Sequence, residues 1–540
     1  MGVNAMRRYF NVNGLCYPDK HYMVDLSSRL KEIQLLIERG DYFVINRARQ
    51  YGKTTLLRAL ANYLAGHYGI LFLNFQGLSS ADFADEFSFV AAFSDEIVRA
   101  ANVSDPTLTI FDGDALNALA LIGKNKNEQV TLRVLFKNLK RLCEYSSRPL
   151  LLLIDAVDSA SNYQVFLDFL AQLRTLYLER NDEAAFQSVI LAGVYDIKNL
   201  KQKIRRDDEH RYNSPWNIAA DFNVNLSFSP SDIQGMLMDY EGDCHTGMDV
   251  GEVAGHIYDY TSGYPYLVSR ICKLMDERKD LLFPSSNHLR TTNWSRAGVE
   301  AAVKNLLMET NTLFDDMRKK IEDYPELRRM LYAMLFNGKQ FPYNPDNFVI
   351  GVGVMFGFIK EQSGMTVVAN RIFETRLYNL FLSEELMDSA IYQAALLDKN
   401  QFVQNGRLNM ELIFQKFVEH FTDIYGNSPD RFVEENGRKL FLLYIKPIIN
   451  GTGNYYVEAR TRDLKRTDVI IDYNGQQYVI EMKIWRGEEY HRKGEEQLAS
   501  YLDAYHLKRG YLLSFCFNKN KKVGVQSAEI GDKVILEAVV

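Results

Sequence analysis

Cysteine is scarce in this chain, and what there is lies scattered. Cys16, Cys143, Cys244, Cys272 and Cys516 are the five in 540 residues, and no two form a CxxC pair. That argues against a zinc module and a disulfide framework, and fits a reducing compartment. Long apolar runs are also missing. The longest, such as "VIGVGVMFGFI", fall short of a membrane span, and "MGVNAMRRYF" lacks the apolar stretch of a signal peptide. The cytoplasm is the expected location. Internal repeats and low-complexity tracts are absent. There is no excess of positive charge: the net charge is −6, so contact with nucleic acid would need a local basic patch.

What is present is ordinary globular material, 47% hydrophobic and 24% charged, with length for about three or four domains. Over residues 1–230, buried-strand runs ("DYFVINRA", "GILFLNFQ", "PLLLLIDAV", "QSVILAGVY") alternate with amphipathic helical stretches ("TTLLRALANYLAGH", "NYQVFLDFLAQLRTLYLER"). This predicts a parallel sheet covered on both faces. Residues 231–320 read as helical, with Ser229 and Ser231 as candidate N-caps. Residues 321–390 give a helix followed by short strands "GFIKEQ" and "MTVVAN", an order similar to a winged-helix module. Residues 391–540 form a separate α/β pattern, with Asn474-Gly475 between two apolar runs as a hairpin signal.

The stretch "NRARQYGKTTLLRAL" follows a strand and opens a helix. A phosphate-binding loop needs backbone N–H groups aimed at phosphate, a lysine to reach it and a hydroxyl for Mg²⁺. Gly52, Lys53, Thr54 and Thr55 supply these: Lys53 for the β/γ phosphates, Thr54 for the metal. The full pattern places glycine at position 47, where this chain has Arg47. About a hundred residues on, the run "RPLLLLIDAVDSAS" ends a strand in Asp155, the natural partner for the Mg²⁺ water shell at the carboxyl edge of the sheet. Asp158, three residues later, reads as a helix N-cap.

These motifs, with "RYFNVNGLCYPDKHYMVDLSSRL", "ILAGVYDIKNL" and "TSGYPYLVSRIC", resemble the bacterial AAA-like ATPases that sit near the STAND and archaeal-type P-loop ATPases. The resemblance covers roughly residues 8–290. It implies that His21–Asp25 packs near the adenine of ATP and that Gly263–Pro265 lies in a helical lid near the phosphates. Asp196 falls at the position of a polar γ-phosphate sensor, with a turn-forming role the equal alternative. The cluster Lys201, Lys203, Arg205, Arg206 and Arg211 would offer an arginine finger to a neighbouring subunit, or be a solvated loop neutralised by Asp207, Asp208 and Glu209. In that family Asp155 is followed by Glu, which activates water. Here the residue is Ala156. Three explanations stand: an engineered Glu→Ala exchange that traps ATP, a natural switch with slow hydrolysis, or a replacement base such as Asp158. Each implies ATP binding through Lys53.

A second constellation lies in "KRTDVIIDYNGQQYVIEMKIWRG". Asp468 starts one strand of the hairpin, and Glu481 and Lys483 stand near the end of the other. Residues i and i+2 of a strand share a face, so Glu481 and Lys483 point the same way. Carboxylates that hold Mg²⁺ or Mn²⁺, with a lysine that orients water, form a phosphodiester-hydrolysing set. The pattern resembles the PD-(D/E)XK nuclease superfamily, with Thr467 where proline is usual. The preceding helix offers Glu434 or Glu435, Glu435 being favoured, and the following helix carries Gln497 and Tyr501 as a QxxxY motif. Trp485 would stack on a base or simply pack. The segment from residue 401 is near neutral, 20 Lys and Arg against 19 Asp and Glu, so any phosphate track is local. Arg460, Arg462, Lys465 and Arg466, then Arg486, Arg492 and Lys493, are its candidates.

The expected architecture is therefore α/β: a P-loop AAA-type ATPase core with helical lid and winged-helix-like module, plus a C-terminal α/β PD-(D/E)XK nuclease-like domain. The expected function is an ATP-regulated, metal-dependent nuclease acting on nucleic acid, DNA in the first instance, and forming a homo-oligomer through its ATPase part. Roles in defence or mobile elements follow only from the company such domains keep. The alternative is a STAND-like nucleotide switch whose nuclease fold is a relic.

Overall fold

The computed structural model describes residues 7–540 except 107–108, 125–129, 195–215, 278–292, 338, 386–388, 426–433, 450–451, 461–465, 475, 486–487, 505–506 and 517–521. They gather into two compact units that interleave along the chain: Met1–His245 with Gly263–Lys273, and Thr246–Ser262 with Leu274–Val540.

The first unit runs α1 (Ser27–Glu38), β1 (Phe43–Asn46), α2 (Lys53–Leu64), β2 (Gly69–Asn74), α3 (Glu86–Ser104), α4 (Gly113–Lys124), α5 (Leu132–Tyr145), β3 (Leu150–Asp155), α6 (Gln164–Leu178), β4 (Ser188–Gly193) and α7 (Pro230–Cys244). The four strands pair in parallel in the order β1-β4-β3-β2. A parallel bridge from Phe43 to Ala220 extends the outer side of β1. Strand β3 is buried at every position because both faces are covered. Leu152 and Ile154 enter a core with Phe89, Phe93 and Phe169 on one side. Leu151 and Leu153 enter another with Ile33, Leu57 and Leu60. The chain leaves β1 for the far edge and returns through β3 and β4, so the carboxyl ends of β1, β4 and β3 lie side by side where open α/β sheets bind ligands.

Helix α7 starts with a capping box, Ser229 and Asp232 bonding reciprocally, and Pro230 in its first turn. Ser231, the other expected cap, lies inside the helix and meets Ser229 Oγ at 2.8 Å. Two helices follow, α8 (Val250–Thr261) in the second unit and α9 (Pro265–Glu277), which begins in the first.

The second unit continues with α10 (Arg296–Met308), α11 (Thr312–Asp323), α12 (Pro325–Phe336), β5 (Phe341–Pro342), α13 (Phe348–Met355), β6 (Ile359–Gln362), β7 (Met365–Val368) and α14 (Arg371–Glu385). Strands β5, β7 and β6 form a small antiparallel sheet in that order. After α15 (Ala390–Asp398), a two-residue-stranded hairpin of β8 (Val403–Gln404) and β9 (Arg407–Leu408), α16 (Met410–Tyr425) and α17 (Glu434–Ile449), the chain forms β10 (Gly453–Arg460), β11 (Arg466–Tyr473), β12 (Gln476–Ile484), α18 (Glu488–Ala504), β13 (Arg509–Phe515), β14 (Gly524–Ile530) and β15 (Lys533–Val539). The sheet order is β10-β11-β12-β13-β15-β14. Pairing is parallel from β12 through β13 to β15 and antiparallel elsewhere. The β11–β12 hairpin closes with Tyr473 opposite Gln476 and Asn474 at φ 50°, as the Asn-Gly pair predicts. No helix among the described residues is long and apolar enough to cross a membrane.

Candidate functional site

The loop between β1 and α2 carries two left-handed residues, Gln50 at φ 56° and Gly52 at φ 80°. Gly52 caps α2. A Cβ there would meet nothing within 4 Å, so backbone conformation rather than space calls for glycine. Lys53 opens the helix, and its Nζ donates to the carbonyls of Arg47 (2.8 Å) and Ala48 (2.9 Å). Burial pulls the Lys53 ammonium down to about 8, against the supporting charges of Asp158 and Asp155. Arg47, the departure from the glycine pattern, turns out of the loop. Its guanidinium donates to the carbonyls of Asn46 (3.0 Å) and Val224 (3.1 Å) and lies 5.4 Å from the Phe222 ring centre.

Asp155 ends β3 only 3% exposed. Its Oδ1 accepts the N–H of Ala156 at 2.9 Å, and Ala156 is left-handed at φ 56°. Asp158 is not a helix N-cap as expected. It sits within a short 3-10 turn, Val157–Ser159, and both carboxylate oxygens accept the N–H of Val194 just beyond β4, at 2.9 and 2.8 Å. A side chain at Gly193 would place Cβ 2.8 Å from Asp158 Oδ1, so the two strand ends are drawn together at a residue that tolerates no bulk.

Beside the loop opens a cavity of 270 Å³, lined in part by Tyr22, Met23, Tyr51, Gly52, Thr55 and Tyr266. The chain ahead of α1 forms one wall. Tyr9 and Tyr22 bond through their backbones (3.2 Å), and Phe10, 1% exposed, packs between the rings of Tyr22 and Tyr240. Arg8 pairs with Asp243 (3.0 Å) and Asp239 (3.4 Å) on α7, and Cys16 N donates to Thr55 Oγ1 (3.3 Å). This segment thus straps α7 to α2. Of His21–Asp25, Tyr22, Met23 and Val24 line the cavity, while His21 is buried with Nδ1 accepting Tyr17 N at 2.8 Å. Pro265 also lines it. Tyr264 OH donates to the Arg49 carbonyl (2.5 Å), and its ring meets that of Tyr51 edge-on at 4.7 Å. Gly263, at φ 73°, leaves no room: a Cβ would fall 1.9 Å from the carbonyl oxygen of Phe228. Asp196 and the basic cluster Lys201–Arg211 lie outside the described residues.

In the second unit, Glu481 is 1% exposed and meets Lys483 Nζ at 2.9 Å. Val469 pairs with Ile480, so one step along this antiparallel register sets the backbone of Asp468 level with Glu481. The side chains of Asp468, Glu434 and Glu435 lie outside what is described. Among the described residues, no group of three or more His, Cys, Asp or Glu is arranged to hold a metal. Helix α18 roofs the face of Glu481 and Lys483. A Cβ on Gly494 would lie 3.4 Å from Lys483 Cγ, and Gln497 Nε2 donates to Tyr501 OH, the expected QxxxY contact within one turn. Trp485 is half-buried and its backbone N–H donates to the Phe515 carbonyl at 2.9 Å. Of the basic candidates, Arg492 is exposed and paired with Glu496 at 2.7 Å.

A family model described as an AAA-like domain matches residues 19–282. That segment is similar to AAA-like domains. Its limits take in the loop of Lys53, Asp155 and the 263–266 turn. Among solved structures, a Walker-type ATPase of Pyrococcus abyssi is similar at 13% identity and a TM-score of 0.46, over 68% of this chain and 99% of that one. The ORC1 protein of Aeropyrum pernix, solved in complex with DNA, is similar at 11% identity and a TM-score of 0.30, over 67% of this chain and 94% of that one. No curated protein matches the chain. Residues that sequence reasoning missed around the Lys53 loop are Asn11, Val12, Asn13, Gly14 and Cys16 of the strap and Met236 of α7. The Asn13-Gly14 turn, with Gly14 at φ 68°, was the available signal.

Proposed function

We propose that the chain binds ATP with Mg²⁺ in its AAA-like domain and uses that binding to regulate a metal-dependent nuclease in its C-terminal part. The residues of the first site fit the nucleotide. A left-handed Gly52 caps the N-terminus of α2, and helix N-termini offer unsatisfied backbone N–H groups to phosphate. Lys53 is held over the loop, and a cavity large enough for a purine adjoins it. Lys53 and Thr55 would bind phosphate; Thr54 and Asp155 would hold the metal, which would offset phosphate charge. Ala156 supplies no group to activate water, so ATP is held well and hydrolysed poorly.

One observation carries the nuclease reading. A buried carboxylate and a lysine lie two residues apart on one strand at 2.9 Å, beneath a helix bearing Gln497 and Tyr501. Taking such a pair out of water is unfavourable, so its presence in the buried sheet asks for a reason beyond packing. Asp468, Glu481 and Glu435 would hold Mg²⁺ or Mn²⁺; Lys483 and Gln497 would orient water or the scissile phosphate. Plasmid and single-stranded DNA or RNA incubated with Mg²⁺ or Mn²⁺, with and without ATP, test this. Cleavage should be lost in Lys483→Ala and in Asp468→Ala; equal cutting by both variants sinks the assignment. Ala156 favours a second reading, a nucleotide-dependent switch. Protein that binds ATP and DNA yet cuts nothing with any metal would establish it. Assembly through the AAA-like domain is part of both readings.

A further inference from the structure

The residue before Gly52 reaches from the Lys53 loop to the start of α7. Tyr51 OH lies 2.7 Å from Ser227 Oγ. Ser227 stands two residues ahead of Ser229, the N-cap of α7. Tyr51 and Gly52 line the cavity on the loop side, and Leu226, Phe228 and Met236 line it on the α7 side. The hydroxyl contact therefore joins opposite sides of the cavity.

The backbone that carries Ser227 is clamped. Arg29 of α1 is buried. Its Nε donates to the Asn225 carbonyl (2.9 Å), and its Nη2 donates to the Ser227 carbonyl (3.0 Å) and to Asp232 Oδ2 (2.7 Å), the capping-box carboxylate of α7. Ser227 N donates to Asn225 Oδ1 (3.0 Å), and Phe228 N donates to the Gly263 carbonyl (2.8 Å). On the loop side, the Tyr51 ring rests edge-on against that of Tyr264 at 4.7 Å. Between freely rotating side chains a hydroxyl pair contributes little, since ordering the groups offsets the bond. Here both groups are already ordered by other contacts, so the bond can hold the loop to residues 225–232.

We propose that Tyr51 and Ser227 are positioning residues for ATP, coupling the phosphate-binding loop to the placement of α7. This rests on the ATP-binding reading and adds a means of regulating that site. Without the pair, ATP binds only the fraction of molecules whose loop is still in place, and apparent affinity falls by that fraction. Coupling is reciprocal, so a shift of α7 acts back on the loop. The test is titration of the full chain with a fluorescent ATP analogue and Mg²⁺. The proteins are the parent, Tyr51→Phe, Ser227→Ala, Ser227→Thr and the Tyr51→Phe/Ser227→Ala double variant, each with its thermal midpoint in the absence of nucleotide. Phenylalanine keeps the ring against Tyr264, and threonine keeps the hydroxyl. Loss of one such bond corresponds to about a 2–12-fold fall in affinity. That fall is expected in each single hydroxyl deletion, with no further loss in the double variant, parental affinity in Ser227→Thr and unchanged thermal midpoints. Parental affinity in either deletion, additive losses in the double variant, or losses that track a lowered midpoint and are not rescued by threonine overturn this inference alone. A parent that binds no ATP overturns the ATP-binding reading and this inference together.

Discussion

Replacing Ala156 with glutamate should switch on ATP hydrolysis. The position directly follows buried Asp155, is itself half-buried, and already holds φ 56°. A left-handed backbone disfavours any L-residue by about 1–2 kcal/mol. Ala156 bears that strain now, so glutamate adds none, and the thermal midpoint should scarcely move. A general base contributes about 10²–10⁴-fold to rate, equivalent to about 2.7–5.4 kcal/mol of barrier. Phosphate release from ATP, measured for the parent, Ala156→Glu and Ala156→Glu/Lys53→Ala, reads this out. The first variant should gain at least about a hundredfold, and the second should lose the gain if Lys53 binds the phosphates as proposed. Asp158→Asn in the parental background separates the remaining explanation. With both oxygens on Val194 N–H, Asp158 is expected to act as a tether, so residual turnover should persist in the variant; its loss would assign Asp158 the role of base. Hydrolysis unchanged in Ala156→Glu, in protein that still binds ATP, would refute the reasoning.

Other perturbations have equally definite outcomes. Gly263→Ala must push a methyl against the Phe228 carbonyl and accept a positive φ, so ATP affinity, followed by fluorescent-nucleotide titration, should fall as the 263–266 turn shifts. Phe10→Ala removes a ring packed between Tyr22 and Tyr240. It should destabilise by about 3–5 kcal/mol in denaturant melts and weaken nucleotide binding through the strap. Asp472, bridged by Gln477 to Glu300, is pushed up to about 7 by burial, with the Glu300 charge adding to it. The folded protein therefore holds a proton that the unfolded chain, ordinary near 3.8, has released. This contribution is full below about 4 and lost as pH rises through about 7. Asp472→Asn should gain stability relative to the parent across that window; a parallel pair of stability–pH curves would disprove it.

Much of this was legible in the sequence, because it depends on near neighbours. Leu150–Ile154 is continuously apolar since both faces of β3 are covered, and the run ends in Asp155 at the carboxyl edge of the sheet. The Asn-Gly hairpin and the i, i+2 relation of Glu481 and Lys483 are equally local. What escaped depends on long separations. Nothing around Asp158 announces Val194, thirty-six residues away in sequence. Arg47 reads as a defect in the loop until Val224 is seen to accept its guanidinium. Ser514 and Glu537 join, hydroxyl to carboxylate, only once β15 pairs in parallel with β13. The signal for β15 was modest: the turn at Gly531-Asp532 followed by the apolar "KVILEAVV". The interleaving of the two units at residues 245–274 has no compositional mark at all.

The left-handed turn at Ala156 has a genetic consequence. Alanine codons ending in a purine become glutamate codons by one change at the second base. Because Ala156 already holds the left-handed backbone at φ 56°, on the proposed reading of this site a lineage carrying this fold would pass between an ATP-holding form and an ATP-consuming form in a single mutational step, in either direction.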